Sequence, residues 1–432
     1  MDVLNGVASL VDQSLVKRLD EHTGEQRFAL LEIIREYALE RAVASGCEPT
    51  ARERHAAYFL GLAEAANREL HGGGQLAWLR RLEREHDNLR AALNWTVARG
   101  ATEMGLRFVA SLAAFWIRNG HLHEGLRAAN QLLSQSDGAA ATLRASALAA
   151  AGQLCAQSGD YETARLRIGA SLALYRELRD PKGIARALQS LGYAIYILGD
   201  RTQGQALCEE SVAVYRAIDD RLGLANALRR LGWLAGDRGE LDLAERYAGE
   251  SLALIRAAGD PEQFAYALRN LYNVAWRRGD FERATKLCSE RLALHSASGN
   301  RPGEATAVHD LAIIIRDRGD YARARELFAD ALVMHKESGY KHFMAQALQG
   351  LAEVAAAEGL PERAARLFGA ADAIWDSIGV STTPPTDFAA YQRGVHAARA
   401  QLGDGRFDVE LAAGRAMPMA DALEFALQIT PG

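Results

Sequence analysis

The histidine-rich segment at residues 121–124 is where side-chain types alone would allow metal chemistry. It reads His121-Leu122-His123-Glu124, so two imidazoles and one carboxylate fall within four residues. Imidazole and carboxylate groups are common ligands of zinc. Alternate residues at the start of a helix point apart, however, so the two histidines are not expected to share an ion. We interpret them as solvated histidines of a turn and expect no metal site.

The four cysteines give little support for nucleophilic, redox or zinc chemistry. No two stand at Cys-x-x-Cys spacing, and four in 432 residues do not make a disulfide framework. Cys208 and Cys288 are 80 residues apart, which is two periods of the repeat described below, so we expect both to be small core residues. His86-Asp87 lacks a third partner in the sequence, and we expect it to have a packing or surface role.

Short catalytic motifs are missing from the sequence. There is no His-Glu-x-x-His, no Gly-x-Ser-x-Gly, and no Gly-Lys pair of a phosphate-binding loop. We therefore expect a protein that is not an enzyme, with no catalytic residues and no cofactor.

Composition indicates a folded, soluble chain without a broad nucleic-acid footprint. Hydrophobic residues make up 49%, charged residues 24%, and the net charge is −5. Lys17 and Arg18 are too few to make a basic patch, so no direct nucleic-acid contact is expected from this chain alone. There is no apolar run of about 18 residues and no signal peptide, which predicts a cytoplasmic protein without a membrane span.

A 40-residue repeat organises the middle of the chain. A glycine, followed in most copies by an acidic residue, recurs at steps of 40: Gly159, Gly199, Gly239, Gly279, Gly319 and Gly359. A small residue stands five positions after each of them: Ala164, Gly204, Ala244, Ala284, Ala324 and Ala364. A fixed period of this length indicates stacked supersecondary units.

Each unit is predicted to be a pair of helices. Residues 184–198 carry apolar side chains at helical spacing. Gly199 then provides a helix stop, and Asp200 can cap a second helix that we expect to end near Ala217. The small residue after each glycine would let the paired helices approach closely. Since one hairpin cannot bury its apolar face alone, neighbouring hairpins must stack.

The repeat resembles the tetratricopeptide family. Leu-Gly, then Gly-Asp-aromatic, then a small residue and a Ser-Leu pair follow its consensus across residues 142–380, and residues 103–133 are similar to a degenerate preceding unit. The period is 40 instead of the usual ~34, which predicts longer helices. The resemblance implies an all-α, right-handed superhelical solenoid of about seven TPR-like hairpins, with the first helix of each pair on the concave surface.

That geometry predicts which side chains line the groove. They are arginine, aromatic, amide and histidine residues of the first helices, types that suit ligand binding. The set is Arg186, Gln189, Tyr193, Tyr196, Asn226, Arg229, Trp233, Tyr266, Arg269, Asn273, Trp276, His309 and Arg316. Arg229 and Arg269, one period apart, would form a ladder able to hold carboxylates or phosphates. The alternative is that Tyr193, Trp233 and Trp276 merely pack between repeats.

The N-terminal flank differs from the repeat. A helical pattern at residues 4–14 precedes two strand-like runs at residues 15–19 and 27–30, with a hairpin tip at residues 20–25. A helix is predicted over residues 31–44. Helix, β-wing and helix is the order of the back half of a winged helix.

Three segments closely resemble the region after the ATPase core of STAND-type signalling ATPases. They are LVDQSLV at residues 10–16, LEIIREYA at residues 31–38 and WLRRLEREHDNLRAAL at residues 78–93. That class includes LuxR-type and SARP-like bacterial transcriptional regulators. Residues 368–426 are similar to the segment before the DNA-binding domain of LuxR-type members. The resemblance implies that this chain belongs to a larger regulator whose ATPase and output domains lie outside this sequence.

Four parts are expected on this basis: a partial winged-helix segment at residues 1–48, a helical connector at residues 49–100, the repeat array at residues 101–379 and a C-terminal helical cap at residues 380–432. The favoured function is a non-catalytic sensor that binds a small molecule, peptide or protein in the groove and controls an attached ATPase or transcription regulator.

The alternative is a protein interaction scaffold or self-association module without a small-molecule ligand, and a homo-oligomer is left open. A closed superhelix with a polar and aromatic interior would favour the sensor. An open face with an apolar stripe would favour a protein partner.

Overall fold

The N-terminal segment is a small α/β unit. The computed structural model describes residues 3–19, 27–70, 75–258, 261–377 and 388–428. The first elements are α1 (Val3–Asp12), β1 (Val16–Leu19), β2 (Arg27–Leu30) and α2 (Glu32–Ala44). The strands are antiparallel, with Val16 opposite Leu30. The helix, two strands and helix occur in the predicted order, while the predicted hairpin tip at residues 20–25 lies outside the described residues.

Helices make up the rest of the described chain. Three precede the repeats: α3 (Glu48–Glu69), α4 (Gln75–Arg84) and α5 (His86–Arg99). The hairpins pair α6 (Thr102–Arg118) with α7 (Leu122–Leu133), α8 (Ala141–Ser158) with α9 (Tyr161–Glu177), α10 (Pro181–Ile197) with α11 (Arg201–Ala217), α12 (Arg221–Asp237) with α13 (Leu241–Ala258), α14 (Pro261–Arg277) with α15 (Phe281–Ser298), α16 (Arg301–Asp317) with α17 (Tyr321–Ser338) and α18 (Lys341–Ala357) with α19 (Pro361–Ser377). The last helices are α20 (Phe388–Leu402), α21 (Asp404–Arg415) and α22 (Met419–Leu427).

This architecture confirms the predicted all-α array of helical hairpins with a small sheet at the N-terminus. From α8 onward the hairpin helices have 17 or 18 residues, which accounts for the long period. No helix in the described ranges has the length and apolar character needed to cross a bilayer.

Helix boundaries follow the predicted capping residues. Gly199 has a φ of 110°, a conformation that glycine adopts without strain, and it ends the first helix of its hairpin. The Asp200 carboxylate then accepts a hydrogen bond of 2.9 Å from the backbone N–H of Gln203. Helix α10 begins at Pro181, before the apolar pattern of residues 184–198, because Asp180 caps it in the same way by accepting a hydrogen bond from the backbone N–H of Gly183.

The paired helices of a hairpin touch backbone to backbone at their small residues. A Cβ atom added to Gly192 in α10 would lie 2.6 Å from the carbonyl oxygen of Gly204 in α11. The equivalent alanines of the other repeats are fully buried. No larger side chain fits such a contact without moving the backbone, so these positions set the spacing of the hairpin.

Serine hydroxyl groups join the two helices of three hairpins. The hydroxyl of Ser171 donates to the carbonyl oxygen of Ala145, 26 residues earlier, at 2.7 Å. Ser211 and Ser251 repeat this bond at 2.7 and 2.8 Å, each to an alanine 26 residues earlier. The three serines are fully buried, so the repeat supplies a hydrogen-bond partner for its own polar group.

The first helices of the hairpins lie side by side on the inner face. Helix α8 contacts α10, α10 contacts α12, α12 contacts α14, and α16 contacts α18. Helices on the inside of a curved stack are closer together than those outside, so these contacts indicate a concave surface built from first helices.

The array closes on itself. Tyr340, in the turn between α17 and α18, donates its hydroxyl to the backbone carbonyl of Ile117 near the end of α6. Tyr340 and the neighbouring Phe343 also pack against the apolar cluster formed by the helices from α3 to α8. The last hairpins therefore contact the first, although 223 residues separate Tyr340 from Ile117.

Gly192→Ala is expected to destabilise the protein by about 1–3 kcal/mol, because the new methyl group would meet the Gly204 carbonyl. Gly169→Ala is the matched control. A Cβ at Gly169 in α9 meets nothing within 4 Å, so the same substitution should stabilise the helix by about 0.5–1 kcal/mol. Urea denaturation of both variants measures the two effects, and shifts of the same sign would contradict this packing.

Tyr340→Phe is expected to cost about 1 kcal/mol, because the buried hydroxyl loses its bond and the Ile117 carbonyl loses a donor. Tyr321→Phe, at a more exposed tyrosine that begins α17, should be close to neutral. Thermal unfolding gives the stabilities, and small-angle scattering reports whether the array opens. Equal melting temperatures for Tyr340→Phe and the parent protein would argue against this closure.

Candidate functional site

Side-chain hydrogen bonds connect neighbouring first helices across the concave surface. Each bridges residues about one period apart, so each joins one repeat to the next. They are Gln189 Nε2 to the Asn226 carbonyl at 2.9 Å, the Tyr196 hydroxyl to Asp237 Oδ2 at 2.6 Å, and Trp276 Nε1 to Asp317 Oδ2 at 2.7 Å. The concave surface is thus polar as well as aromatic.

A row of aromatic rings runs along the same surface. The Tyr193 ring centroid lies 6.1 Å from that of Tyr161 and 5.6 Å from that of Trp233. The Arg230 guanidinium lies 3.9 Å from the Tyr193 ring centroid, which is a cation–π distance. Tyr193 and Trp233 pack between repeats and still keep part of their surface exposed. Their positions therefore fit both predicted roles, which are packing between repeats and lining the groove.

Ten of the thirteen predicted groove residues are at least partly exposed. They are Arg186, Gln189, Tyr193, Asn226, Arg229, Trp233, Tyr266, Arg269, Asn273 and Trp276. Arg186 donates to the Tyr175 hydroxyl at 3.0 Å, and Asn273 accepts a bond from Arg277 at 3.1 Å. A binding role for these residues stays a prediction.

Three of the predicted groove residues are buried and do not line the groove: Tyr196, His309 and Arg316. Tyr196 turns inward because its hydroxyl bonds to Asp237. Arg316 forms a buried ion pair with Glu353 of the next first helix. The prediction of an open position was wrong for all three, because it used helix phase alone and did not include the partners from the next repeat.

The predicted arginine ladder already holds a carboxylate that belongs to the protein. Arg269 Nε lies 3.3 Å from Asp310 Oδ2, and Arg291 Nη2 lies 2.7 Å from the same oxygen. Burial alone would raise the pKa of the Asp310 carboxyl, but the two guanidinium groups outweigh it and hold that pKa below its ordinary value. Asp310 is therefore a fixed anion between α14, α15 and α16.

Sequence reasoning missed Arg291, although the repeat carries the signal. Arg291 occupies the position of Ser171, Ser211 and Ser251, whose hydroxyls bond within their own hairpins. Its side chain is 1% exposed and reaches Asp310 in the next hairpin. A charged residue at a repeat position that is otherwise small and buried could have indicated a buried ion pair.

Four histidines surround this ion pair. His295, at the position of Tyr175 and Tyr215, lies 5.4 Å from the Tyr266 ring, measured between centroids. His335 stacks on Phe343 at 5.0 Å, and His342 meets the same ring edge-on at 5.1 Å. His309 lies on α16 beside Asp310.

Burial is the main reason that all four histidines stay neutral. Their pKa values are lowered to about 3 for His295 and His335 and to about 4 for His309 and His342. Neighbouring cations, Arg269 in each case, lower them further. Of this group, sequence reasoning identified only His309.

Two other histidines form a separate polar junction near the start of the array. His121 Nε2 lies 3.1 Å from Glu83 Oε2, and His86 Nε2 lies 3.1 Å from Glu124 Oε1. The two imidazole rings stack with centroids 3.9 Å apart. The expectation of solvated histidines was therefore wrong for His121, since partners 38 residues away bind it.

This junction is where described side chains could hold a metal ion. One donor atom from each of Glu83, His86 and His121 lies within 4.8 Å of the others. The same contacts explain His86 as a packing residue that ties α5 to α7.

The predicted core cysteines are buried as expected. Burial raises the pKa of the Cys208 thiol to about 11 and that of Cys288 to about 12. Thiols with such pKa values are poor nucleophiles at neutral pH, so the two cysteines act as small core side chains.

Comparison with known proteins agrees with this geometry. The family model described as "Tetratricopeptide repeat" matches residues 183–257 and 263–337. The chain contains tetratricopeptide repeats. They cover the hairpins from α10 to α17, where the concave residues described above lie.

A curated relative from Mycobacterium tuberculosis is named as a candidate HTH-type transcriptional regulator. It is 35% identical over 198 residues, which is 44% of this chain and 22% of that relative. A protein of Mycobacterium bovis with the corresponding name matches equally well. The matched part of this chain thus corresponds to about a fifth of the length of these relatives.

Among solved structures, a Rap protein complexed with competence and sporulation factor has the same fold. It is 12% identical, has a TM-score of 0.51, and the match covers 81% of this chain and 98% of that chain. A signal transduction ATPase of the STAND class with a tetratricopeptide repeat sensor, from Pyrococcus horikoshii, is 17% identical with a TM-score of 0.48, over 94% of this chain and 57% of that chain.

The free energy of unfolding should decrease in acid, because four histidines stay neutral in the folded repeats. In the unfolded chain these histidines take up a proton near pH 6.5, whereas in the fold they stay neutral down to about pH 3–4. The unfolded state therefore binds more protons, and stability falls as pH drops below about 6.5. His295→Gln should reduce the loss by about 1 kcal/mol per pH unit between pH 6 and pH 4.

His123→Gln is the matched control, because His123 is exposed on α7. It should leave the pH dependence unchanged. Urea midpoints measured from pH 7 to pH 4 give the slopes. If the urea midpoints of His295→Gln and of the parent protein fall equally with decreasing pH, the fold does not keep the His295 side chain neutral.

Proposed function

We propose that this chain is a non-catalytic regulatory module that binds an effector against the concave surface of its repeats and thereby controls a larger protein. The observation that carries the proposal is the closed array, with Tyr340 bonded to Ile117, around a surface of guanidinium, amide and aromatic groups. Such groups give flat contact area and directional hydrogen bonds, as binding sites do.

Closure favours an effector over an extended scaffold partner. A closed array limits the length of a partner polypeptide that can lie along its concave surface. In addition, that surface is polar and aromatic and does not form an apolar stripe. The Rap protein with the same fold was solved with competence and sporulation factor bound, which supports a comparable use of this array. The effector must favour one conformation of the array in order to regulate anything.

The larger protein is proposed to be a transcription regulator of the STAND and LuxR-type class. Support comes from the mycobacterial relatives, of which this chain matches about a fifth. On this proposal residues 1–48 are part of a winged helix, residues 49–100 a connector, residues 101–379 the sensor and residues 380–432 a cap.

The N-terminal surface supports attachment to another domain. Helix α2 contributes no buried residue, and its apolar side chains Ile33, Tyr37 and Val43 are each more than 60% exposed. Several exposed apolar groups on one short helix are normally covered by a partner. An attached ATPase domain is the occupant that the regulator proposal implies, and signals from the array would reach it through α3, α4 and α5.

A thermal-shift screen of metabolites and peptides, followed by hydrogen exchange, tests the binding proposal. A ligand that raises the melting temperature should protect the first helices α10, α12, α14 and α16 more than the second helices α11, α13 and α15. Trp233→Ala should weaken binding about tenfold or more, since it removes a large contact surface.

Leu166→Ala, at an exposed position of the second helix α9, is the control and should bind normally. Melting of each unliganded variant separates binding from stability. Protection confined to second helices would instead support a scaffold that uses the convex face.

A further inference from the structure

We propose that the effector presents an oxyanion, a carboxylate or a phosphate, which binds to Arg229 and Arg269 at the face formed by α12, α14 and α18. This inference rests on the proposed function, because it names the chemistry of the ligand at the same concave surface. It concerns one part of that surface, next to the buried Asp310 ion pair and its histidines.

The charges at this face do not balance. Three guanidinium groups, from Arg229, Arg269 and Arg291, face a single carboxylate, that of Asp310. Asp310 is shared between Arg269 and Arg291, and Arg229 has no carboxylate within ion-pair distance among the described side chains. The face therefore carries two excess positive charges while the histidines are neutral.

The positive charge of Arg229 has no counter-ion to offset its partial burial. Burial, and then the Arg230 and Arg269 guanidinium groups, lower the pKa of Arg229 to about 10. Its guanidinium lies 5.6 Å from the Tyr266 ring centroid, and its Nε is buried without a hydrogen-bond partner in the described structure. A partly buried cation without a counter-ion is destabilising, so an arriving anion would gain more here than at an exposed arginine.

The arrangement gives an accessible front and a buried floor. Arg229, Tyr266, Arg269, His342 and Phe343 are partly exposed, and the Arg269 side chain is 34% exposed. Behind them, the buried residues are Arg291, His295, His309, Asp310 and His335. A ligand can thus reach two guanidinium groups at the surface, while the floor behind them excludes water and strengthens the electrostatic attraction.

Unpaired ring nitrogens around the Asp310 ion pair are a second observation at this face. Ring nitrogens of His295, His309, His335 and His342 are buried and make no hydrogen bond within the described structure. Buried polar atoms are normally paired, and several unpaired ones around one point are unusual. A neutral imidazole has one N–H donor and one acceptor nitrogen, so each ring has at most one donor to offer to a bound oxyanion, beside the guanidinium groups of Arg229 and Arg269.

The histidines add no charge to this face at neutral pH. The charged and titratable groups that face these histidines are Arg229, Tyr266, Arg269, Tyr272, Cys288, Arg291, Asp310 and Arg316, from α12, α14, α15 and α16. Only Asp310 among them is an anion at neutral pH. Because the pKa values of the histidines are about 3 to 4, they stay neutral between pH 7 and pH 6, and the surplus positive charge of this face comes from arginine alone.

The test uses inorganic phosphate and succinate as probes, at constant ionic strength with chloride as the reference ion. Saturable stabilisation of the full chain by either probe is expected, and a preference between the two distinguishes phosphate from carboxylate chemistry. Calorimetry gives the affinity and stoichiometry of each probe. Absence of saturable binding to both probes would overturn the inference.

Arg229→Gln is the decisive variant. It should weaken probe binding about tenfold or more, because a charge-assisted contact is lost. The unliganded melting temperature should not fall, because an uncompensated cation is removed. A lower melting temperature with unchanged probe binding would make Arg229 a structural residue and reject the site.

Arg165→Gln controls for the change in net charge, since Arg165 is exposed on α9 and pairs with Glu162. It should bind both probes like the parent protein. If Arg165→Gln weakens binding as much as Arg229→Gln, the anion responds to overall charge and the inference fails. A neutral effector that protects the first helices, with no response to phosphate or succinate, would leave the proposed function intact and reject only the anion site.

Discussion

Two helices can pack backbone to backbone only where neither carries a large side chain, and this chain meets that condition once in every 40 residues. The contact between Gly192 and Gly204 shows the constraint within one hairpin. Buried serines then fix the two helices through hydrogen bonds to alanine carbonyls. Because the spacing within each hairpin is set in this way, successive hairpins stack with similar geometry, and their first helices gather on one side.

Closure of the stack changes the electrostatics of that side. With Tyr340 bonded to Ile117, the first helices surround polar groups that an open array would leave to solvent. Asp310, Arg291 and three of the histidines, His295, His309 and His335, are buried there. Two arginines hold the acid ionised against the effect of burial, whereas burial keeps the imidazoles neutral. The buried ion pair and its neutral histidines therefore depend on how adjacent hairpins pack.

Features within one repeat could be predicted from the sequence. The recurring glycines, the small residues and Asp200 predicted the hairpins, the close contact and the cap, and the structure confirms them. Local helix phase also placed ten groove residues on partly exposed positions.

Contacts between repeats could not be predicted from the sequence, because they depend on which side chains face each other after the repeats stack. Tyr196 and Arg316 turn inward toward Asp237 and Glu353, each more than 35 residues away. His121 binds Glu83 in the same way. The closure joins residues 223 positions apart, which no local pattern reports.

The exchange of serine for arginine at residue 291 shows how recognition in such a protein can change over time. Its partner Asp310 lies in the next hairpin, while the serine bonds of the three hairpins from α8 to α13 are retained. In a stack where each unit touches mainly its neighbours, a new charge and its counter-charge can arise in two adjacent units without refolding the others. Different copies of one ancestral unit could thus diverge to contact different parts of a ligand, while the shared backbone frame stays the same.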